Sequence, residues 1–220
     1  MKTLLLFGVS PKMGTAYQVL QLALQQPSQW RCVALVRNAD FAKQLNQQGV
    51  ITLVGDATDE AKIKEICELA GTDTVIVSTL GGSASVHYDA HRLIIDTAED
   101  IGIKQMLLVT SLGCGDSWTT MSDRAKQAFG QALREKSLAE VWLQTSSLNY
   151  NILRPGGLLN GEITGKAECY YQQEVHGHIH RTELANVIIQ KISAGNLDNR
   201  VYAVVDPSLS NDKKIISAHQ

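Results

Sequence analysis

Short runs of apolar residues alternate with longer amphipathic stretches along the whole chain. The apolar runs are rich in Leu and β-branched residues, and they predict strands at residues 4–9, 31–36, 51–54, 74–78, 105–110, 151–153 and 201–205. The stretches between them repeat apolar positions every three to four residues, which predicts helices at residues 15–26, 39–47, 60–70, 88–101, 125–145 and 183–193. Nearly continuous apolar strands that alternate with helices are typical of a parallel sheet covered on both faces. The pattern therefore predicts a doubly wound α/β fold with three α/β/α layers.

Length and charge narrow the class of protein. The chain has 220 residues and a formal net charge of -2, and no Pro-, Ser- or Gly-rich linker divides it, so we expect one domain over residues 1–220, with small substrate-binding elements after residue 155. No run of Lys or Arg gives an electrostatic reason to expect nucleic acid or an anionic membrane as partner. No apolar run reaches the ~18 residues that a membrane helix requires. We expect a small-molecule partner and a monomer or small homo-oligomer.

The N-terminal segment and the cysteines favour a cytoplasmic protein. The apolar run at residues 4–9 is too short for the core of a secretory signal and breaks at Gly8, so it is better interpreted as a buried strand. The 4 cysteines lie far apart and form no C-x-x-C pair, which is typical of reduced thiols rather than of a disulfide or zinc framework.

The turn after the first predicted strand reads LFGVSPKMGTA and has the outline of a dinucleotide-binding turn. Gly8 permits a tight turn and Gly14 permits close packing of the helix on the strand, whereas Pro11 replaces the middle glycine, at which the main chain approaches a pyrophosphate. Proline suits the first turn of a helix, because its fixed φ fits there and its missing N–H costs little. The sequence therefore predicts that this turn still binds phosphate.

In this interpretation Ser10 caps the helix and Pro11 lies in its first turn. The amides of Lys12 and Met13 then point at a phosphate, with the helix dipole behind them and the charge of Lys12 beside them. The alternative is a capped helix start that binds no ligand.

The end of the second predicted strand indicates which dinucleotide binds. An acidic residue at this position is typical of NAD-binding folds, because its carboxylate binds both ribose hydroxyls, whereas an arginine accommodates a 2′-phosphate. This chain has Arg37 there and no acid. Arg37 therefore favours NADP over NAD as cofactor, with a solvated surface arginine as the alternative.

Several motifs along the chain together resemble a known family. They are Gly8-x-x-Pro11-x-x-Gly14, Val36-Arg37, Gly55-Asp56, Val109-Thr110-Ser111 and Ile152-Leu153-Arg154-Pro155-Gly156-Gly157. Their order and spacing resemble the atypical short-chain dehydrogenase/reductases, and within them the NmrA-like proteins and the NADPH-dependent flavin/biliverdin reductase B-type enzymes. The resemblance runs from residue 1 to about residue 207 and implies an NAD(P)-binding Rossmann fold.

The resemblance also implies roles for single residues. It implies that Asp56 and Ala57 flank the adenine. It further implies a cofactor site lined at the ribose and nicotinamide by Thr79, Leu80, Gly81, Thr110, Ser111, Pro155 and Gly156.

The catalytic tyrosine of many short-chain reductases is missing. In the family's Tyr-x-x-x-Lys motif the lysine matches Lys136, but the tyrosine position is Ala132. A shift of register does not supply the tyrosine, because the chain contains none between Tyr88 and Tyr150. Tyrosine-based alcohol chemistry is therefore not expected, and neither is a sugar-nucleotide epimerase or dehydratase, whose substrate-binding portion would also be longer.

Lys136 lies on a helical face that we expect to pack inward. The residues that share this face are Phe129, Ala132, Ala139 and Leu143. An ammonium on such a face needs a partner, because burial without one is costly. The functional interpretation is a hydrogen bond from Lys136 to the cofactor's ribose, and the alternative is an ion pair with Glu140.

The missing tyrosine narrows the acceptor. Hydride transfer to a ketone leaves an alkoxide that needs a positioned acid, whereas transfer to a flavin, quinone or conjugated tetrapyrrole leaves a delocalised anion that solvent can protonate. The sequence therefore favours a planar conjugated acceptor. Ser111 remains as the one hydroxyl at the expected strand end. Together with Lys136 it is a candidate catalytic residue. The alternative is that Ser111 is a simple turn serine.

Two further segments carry candidate chemistry. His176, His178 and His180 would lie on one side of an extended segment, but no metal site is expected, because no further ligand is evident in the sequence; one of them could instead donate a proton. The loop that contains Cys114 and Trp118 follows the fifth predicted strand, and Trp118 either stacks on the acceptor or anchors the loop. No histidine base stands beside Cys114 in the sequence, so a nucleophilic role for its thiol is not expected.

Two functions follow from these residues. The first is an NADPH-dependent oxidoreductase that transfers hydride to a planar conjugated acceptor. The second is a non-catalytic NADP-binding regulatory or redox-sensor protein of NmrA type, which the missing tyrosine favours. NADPH oxidation with flavin or quinone acceptors separates the two.

Overall fold

The computed structural model describes residues 1–11, 14–82 and 86–209. Its strands are β1 (Lys2–Phe7), β2 (Trp30–Val36), β3 (Ile51–Val54), β4 (Thr74–Ser78), β5 (Gln105–Val109), β6 (Asn149–Pro155), β7 (Gly157–Leu159), β8 (Glu168–Tyr171), β9 (His178–His180) and β10 (Arg200–Val205). Its α-helices are α1 (Thr15–Leu24), α2 (Ala39–Gln47), α3 (Glu60–Ala70), α4 (His91–Ile101), α5 (Asp123–Gln144) and α6 (Arg181–Ser193). Among the described helices, none has the length and apolar character needed to cross a membrane.

One large sheet organises the molecule. Its strand order is β3-β2-β1-β4-β5-β6-β10-β8, and the strands are parallel except for β8, which runs antiparallel to β10. The strand order reverses between β1 and β4, and this switch point is where a doubly wound sheet opens a crevice at the carboxyl ends of its strands. The doubly wound fold predicted from the sequence is confirmed, with an antiparallel edge strand that the prediction lacked.

Apolar side chains from each strand pack on both faces of the sheet. Leu4 and Leu6 of β1 join a cluster with α1, α2 and α6, whereas Leu5 and Phe7 join the opposite cluster with α3, α4 and α5. All four side chains are fully buried. Burial on both faces explains why the strands appear in the sequence as continuous apolar runs rather than as alternating patterns.

The short elements late in the chain differ most from the sequence prediction. β7 and β9 form a separate two-stranded parallel sheet, and β8 completes the edge of the large one. Each of these strands has only three or four residues, and those of β7 are exposed, so they lack the apolar pattern that marks a buried strand. The predicted helix at residues 88–101 also differs, because a π-helical turn, Val86–Ala90, precedes α4.

Candidate functional site

A cleft of about 530 Å³ opens at the switch point of the sheet. Its walls come from the segments that follow β1, β2, β3 and β4, where the doubly wound fold places ligands. The lining residues are Phe7, Gly8, Val9, Ser10, Pro11, Leu35, Arg37, Asn38, Phe41, Gly55, Asp56, Ala57, Leu80, Gly81, Gly82 and Val86. We call this space the cofactor cleft, and it brings together the predicted residues Gly8, Ser10, Arg37, Asp56, Ala57, Leu80 and Gly81.

Gly8 is required by its backbone conformation and by its neighbour. Its φ is +95°, and a Cβ at this position would lie 2.9 Å from the carbonyl carbon of Thr79. Thr79 in turn donates its main-chain N–H to the carbonyl of Phe7 at 3.1 Å. The main chains that follow β1 and β4 therefore touch, and Thr79 lies against Gly8 rather than in the lining of the cleft.

The start of α1 corrects one sequence prediction. Ser10 does not cap the helix and Pro11 is not in its first turn, because α1 begins at Thr15 with Gly14 as its N-cap. No side chain of a described residue caps this end. The helix starts at the first buried positions of the amphipathic pattern, Thr15 and Ala16. Lys12 and Met13 lie outside the described residues.

Arg37 and Asp56 line the cofactor cleft after the neighbouring strands β2 and β3. Arg37 is exposed at the end of β2, and no described carboxylate lies within ion-pair distance of its guanidinium. The carboxylate of Asp56 accepts hydrogen bonds from the main-chain N–H and the hydroxyl of Thr58 at 2.9 and 2.7 Å. These bonds, with a smaller contribution from the charge of Arg37, hold the pKa of Asp56 below its usual value. The cleft therefore carries the positive charge of Arg37, which forms no ion pair with a described carboxylate.

The cofactor cleft fits a dinucleotide. A glycine turn lets the main chain approach a ligand, and an exposed arginine lies at the adjacent strand end. These residues would hold the adenosine and phosphates of a dinucleotide, whose nicotinamide supplies hydride chemistry when bound.

Two buried histidines after β4 were missed by the sequence analysis. Ser78 and His91 are almost completely buried, and the Ser78 hydroxyl lies 2.8 Å from Nε2 of His91. Nδ1 of His91 lies 2.7 Å from the carbonyl of His87, which can only accept, so this nitrogen carries the proton and Nε2 accepts from the serine. The signal in the sequence was a pair of histidines four residues apart on one helical face.

The side chain of His87 is 4% exposed and contacts the main chain that follows β4. Its ring hydrogen-bonds to the main chain of Gly82, and its Nδ1 atom has no hydrogen-bond partner among the described residues. Burial, and then the charge of Lys136, lower the pKa of His87 to about 4. Burial likewise lowers the pKa of His91 to about 4, so both imidazoles are neutral at pH 7.

Lys136 reaches the end of β5. Its Nζ atom donates to the main-chain carbonyl of Thr110 at 3.4 Å, next to the half-buried Ser111. Burial lowers the pKa of the ammonium, while Cys114 and Glu140 act in the opposite direction. The two candidate catalytic residues are therefore brought to one strand end.

The inward face predicted for Lys136 is only partly correct. Ala139 and Leu143 are buried, but Phe129 is 61% exposed. Phe129 lies in the first third of α5, where the first buried position is Gly130.

Arg154, rather than Lys136, is the partner of Glu140. The guanidinium donates to both oxygens of the Glu140 carboxylate, at 3.0 and 2.7 Å, and also to the exposed Asp116. Thr110 donates its hydroxyl to Glu140 at 2.6 Å. The side chain of Thr110 thus belongs to a buried charge network that ties β6 to α5 and to the loop after β5.

The loop after β5 is anchored to α5. Trp118 lies between two cations of that helix, with Arg134 at 5.2 Å and Lys126 at 5.7 Å from its ring centroid. A Cβ at Gly130 would lie 3.2 Å from the indole. These contacts favour the anchoring role for Trp118 over stacking on an acceptor. Cys114 in the same loop is fully buried, and burial raises the pKa of its thiol to about 11.

The end of β6 and the residues that follow it pack closely against neighbouring main chain. The N–H of Leu112 donates to the carbonyl of the buried Pro155 at 3.0 Å. A Cβ at Gly156 would lie 2.3 Å from the carbonyl oxygen of Gly177, so only glycine fits between β6 and the chain that precedes β9. Four residues predicted to bind the cofactor are not among those that line the cofactor cleft: Gly14, Thr110, Pro155 and Gly156.

The three neighbouring histidines point to no metal site. His176 lies before β9 and pairs with Glu174 at 3.1 Å, whereas Nδ1 of His180 lies 2.8 Å from the carbonyl of Glu162. Within the described residues, no group of three or more His, Cys, Asp or Glu side chains is placed to hold a metal ion.

A family profile described as NAD(P)H-binding matches residues 14–194. This match spans well over half of the chain and includes the walls of the cofactor cleft beyond the first turn. The chain belongs to this NAD(P)H-binding family. The resemblance to the atypical short-chain dehydrogenase/reductases is thereby confirmed.

Several known proteins are similar to this chain. The anaerobilin reductase ChuY from Escherichia coli O157:H7 is 50% identical, over 96% of this chain and 100% of that one, with a TM-score of 0.90. An uncharacterized sugar epimerase, YhfK, from Bacillus subtilis is 26% identical over 79% of this chain and 81% of its own length. The NAD(P)H azoreductase of Xenophilus azovorans is 25% identical over 84% of this chain, which spans only 63% of the azoreductase.

Proposed function

We propose that this protein is an NADPH-dependent reductase that transfers hydride to a planar conjugated acceptor, and that this acceptor is a linear tetrapyrrole. The observation that carries the proposal is the similarity to the anaerobilin reductase ChuY, which extends over nearly the whole of both chains. The azoreductase, whose substrates contain a conjugated azo group, supports the wider class of acceptor.

The residues at the strand ends support the same chemistry. The chain has no tyrosine between Tyr88 and Tyr150, so the usual acid for an alkoxide is missing from the helix that carries Lys136. A conjugated acceptor spreads the charge left by hydride transfer over many atoms and does not need that acid. The missing tyrosine also argues against epimerase chemistry, in spite of the similarity to YhfK.

The preference for NADPH rests on Arg37. Its guanidinium is exposed at the end of β2, lines the cofactor cleft and has no described carboxylate as partner. A 2′-phosphate at this position forms a charge-assisted hydrogen bond, which NADH cannot supply.

We propose that the protein is cytoplasmic. Cys32, Cys67, Cys114 and Cys169 are all free thiols, and the first three are buried. Reduced cysteines are typical of cytosolic proteins. The partner is a small acceptor molecule, and the oligomeric state is proposed to be a monomer or small homo-oligomer.

The test is anaerobic oxidation of NADPH at 340 nm with biliverdin, FMN and a soluble quinone as separate acceptors. The proposal expects turnover with the tetrapyrrole at a higher kcat/KM than with FMN or the quinone. Tight binding of NADPH without oxidation by any acceptor would support the alternative, a nucleotide-sensing protein of NmrA type. Preference for FMN or the quinone would keep the reductase and reject the tetrapyrrole.

A further inference from the structure

A second cavity, which we call the face groove, lies beside α5 on the large sheet. Its volume is about 750 Å³, against about 530 Å³ for the cofactor cleft, and the two share no lining residue. Val201 and Ala203 of β10 form an apolar floor, flanked by Tyr150 on β6 and Tyr170 on β8. The other walls come from α5, the loop after β5 and the chain after β8. A cavity of this size holds a drug-sized molecule, and its floor and tyrosines suit aromatic rings.

One end of the face groove lies at the carboxyl ends of β5 and β6. Leu112 lines the groove, directly follows Ser111 and donates its N–H to the carbonyl of Pro155 at 3.0 Å. Arg154 also lines the groove and directly precedes Pro155. From Arg154 the groove follows β6 back to Tyr150, about 13 Å along the strand. An elongated ligand can therefore extend into the groove from the strand ends, where the resemblance to the family implies the nicotinamide.

Arg154 is a buried cation in this groove and has two carboxylate partners. The residue is 8% exposed, and its Nε and Nη2 atoms donate to Glu140 while Nη1 donates to Asp116. A guanidinium has five N–H donors, so two remain after these three hydrogen bonds. The partners differ, because the Glu140 side chain is 2% exposed and that of Asp116 is 86% exposed. Glu140 is therefore fixed in the core, whereas Asp116 can exchange Arg154 for water at little cost.

The loop that carries Asp116 does not depend on this ion pair for its position. The N–H of Gly115 donates to the hydroxyl of Ser137 on α5 at 2.8 Å, and the indole of Trp118 packs on the same helix. Gly115 has a φ of +54°, and a Cβ at this position would clash with the Arg154 guanidinium, so only glycine lets the main chain lie this close. Asp116 can therefore leave the guanidinium while the loop stays on α5.

We propose that the face groove is the acceptor site, that Arg154 binds a carboxylate side chain of the acceptor there, and that Asp116 occupies this position until the acceptor arrives. This inference rests on the proposed function, because linear tetrapyrroles carry propionate side chains on a conjugated frame. A carboxylate pairs with a guanidinium in a planar, bidentate manner. Nη1 and Nη2 of Arg154 have free N–H groups for this pairing once Asp116 leaves.

The exchange of one carboxylate for another leaves the charge around Arg154 unchanged. Ion pairing therefore gives little net gain, and burial of the conjugated rings on the floor of the groove supplies the affinity. Asp116 is a competitor, so its removal should strengthen the binding of a ligand that carries a carboxylate. Glu174 also lines the groove, but it pairs with His176 at 3.1 Å rather than with Arg154.

The carboxylate contact is tested by calorimetric titration with biliverdin and with its dimethyl ester, which lacks the carboxylate charges, each with and without NADP⁺. We expect wild type to bind the ester about tenfold more weakly than the acid, because charge-assisted hydrogen bonds are lost. Asp116→Asn should bind the acid about fivefold more tightly than wild type does, and the ester equally well. Glu174→Gln, which removes another exposed carboxylate from the groove, is the matched control and should change each Kd less than about twofold. Equal affinity for acid and ester in wild type and in Asp116→Asn would overturn the role of Arg154.

The location is tested by filling the groove. Ala203→Phe adds a ring to the floor, and Val141→Trp adds an indole to the wall formed by α5, at a position that is 55% exposed and so tolerates the change. We expect both variants to weaken the binding of biliverdin about tenfold or more and to leave the Kd of NADPH unchanged. Thr52→Phe, on the opposite edge strand β3, is the control and should bind both molecules as wild type does.

These outcomes separate the acceptor site from the proposed function. Turnover of biliverdin by wild type with an unchanged kcat/KM in Ala203→Phe and Val141→Trp would reject the face groove and leave the reductase intact. Binding of biliverdin that both variants abolish, without oxidation of NADPH, would reject the reductase and support the groove as a site for carboxylated tetrapyrroles. No binding of biliverdin by wild type, with or without NADP⁺, would overturn the inference.

Discussion

The two ends of the candidate site are built in different ways. At the phosphate end, which comprises the segments after β1, β2 and β3, the lining includes Gly8 and Gly55, and the decisive residue is Gly8 with its positive φ. At the hydride end, which comprises the ends of β4, β5 and β6, the ionisable side chains of His87, Lys136 and Arg154 are held by the main chain of Gly82, the carbonyl of Thr110 and the carboxylate of Glu140, respectively. The phosphate end is therefore sensitive to added atoms, and the hydride end to changes of charge.

This difference between the two ends corresponds to two different tasks, the binding of phosphate and the transfer of a proton. Phosphates bind to main-chain N–H groups and fixed dipoles, which need no titratable group and stay constant over a wide pH range. Proton transfer needs groups whose pKa is shifted by burial and by neighbouring charges. The comparison yields the following tests, from the largest expected effect to the smallest.

Removing Arg154 should have the largest effect on stability. In Arg154→Met the Glu140 carboxylate, 2% exposed, loses its ion pair, and breaking a buried pair in this way costs about 3 to 5 kcal/mol of the free energy of unfolding. Urea denaturation measures the change. Lys43→Met breaks an exposed pair with Asp40 and should cost less than about 1 kcal/mol. A loss in Arg154→Met no larger than in the control would show that the hydride end is not held by charge.

Adding one carbon at the phosphate end should have the next largest effect. In Gly8→Ala the new Cβ strains a residue at φ +95° and meets the Thr79 carbonyl at 2.9 Å, and we expect a loss of about 2 to 3 kcal/mol. Gly71→Ala is the matched control, because its φ is +80° but its Cβ would meet no atom within 4 Å. Equal losses in the two variants, measured by urea denaturation, would show that the contact with Thr79 is unimportant.

Acid should destabilise the hydride end through its histidines. The pKa of His91 is about 4 in the folded protein against 6.5 as its ordinary value, so below pH 6.5 the unfolded chain takes up a proton that the folded one refuses. The stability from the neutral ring is complete above pH 6.5 and is lost as the pH falls toward 4. We expect a loss of about 1 to 2 kcal/mol between pH 7 and pH 5.

The His91 contribution is isolated by comparing slopes of unfolding free energy against pH. His91→Gln should show a shallower slope than wild type, and His176→Gln, at an exposed histidine, should keep the wild-type slope. A slope in His91→Gln as steep as in wild type would assign the effect to His87 or to carboxylates elsewhere.

The smallest effect is expected in cofactor choice. Arg37→Ala should raise the Kd of NADPH about tenfold, which is about 1.4 kcal/mol, and leave that of NADH unchanged. Calorimetric titration gives both values, and Lys64→Ala serves as a control for loss of one surface charge. Equal weakening of NADPH and NADH would mean that Arg37 does not meet the 2′-phosphate.

The sequence predicted the phosphate end better than the hydride end. Buried parallel strands leave continuous apolar runs, and the residue after such a run lies at the carboxyl edge of the sheet, so Gly8, Arg37 and Asp56 could be placed together from position alone. The amphipathic pattern placed the start of α1 at residue 15, where the structure has it, but the predicted cap at Ser10 lies four residues too early, because Pro11 suits a first helical turn and equally suits the turn before it.

The hydride end depends on contacts that no local pattern carries. Arg154 and Glu140 are fourteen residues apart on a strand and a helix, and only the packing of α5 on β6 shows that they pair. Because of this packing, Glu140 forms its ion pair with Arg154, and Lys136 donates its hydrogen bond to the carbonyl of Thr110. His87 and His91 resembled ordinary helix positions, because burial and the π-helical turn are properties of the fold.

The central claim is that hydride passes from NADPH to a carbon of a linear tetrapyrrole. It is tested most directly by mass spectrometry of biliverdin after turnover with NADPH that carries deuterium at the transferable C4 position. The account predicts a reduced product that contains one deuterium on carbon, with the second hydrogen exchanging with solvent. Reduced product without that deuterium, or no reduced product while NADPH remains tightly bound, would contradict it.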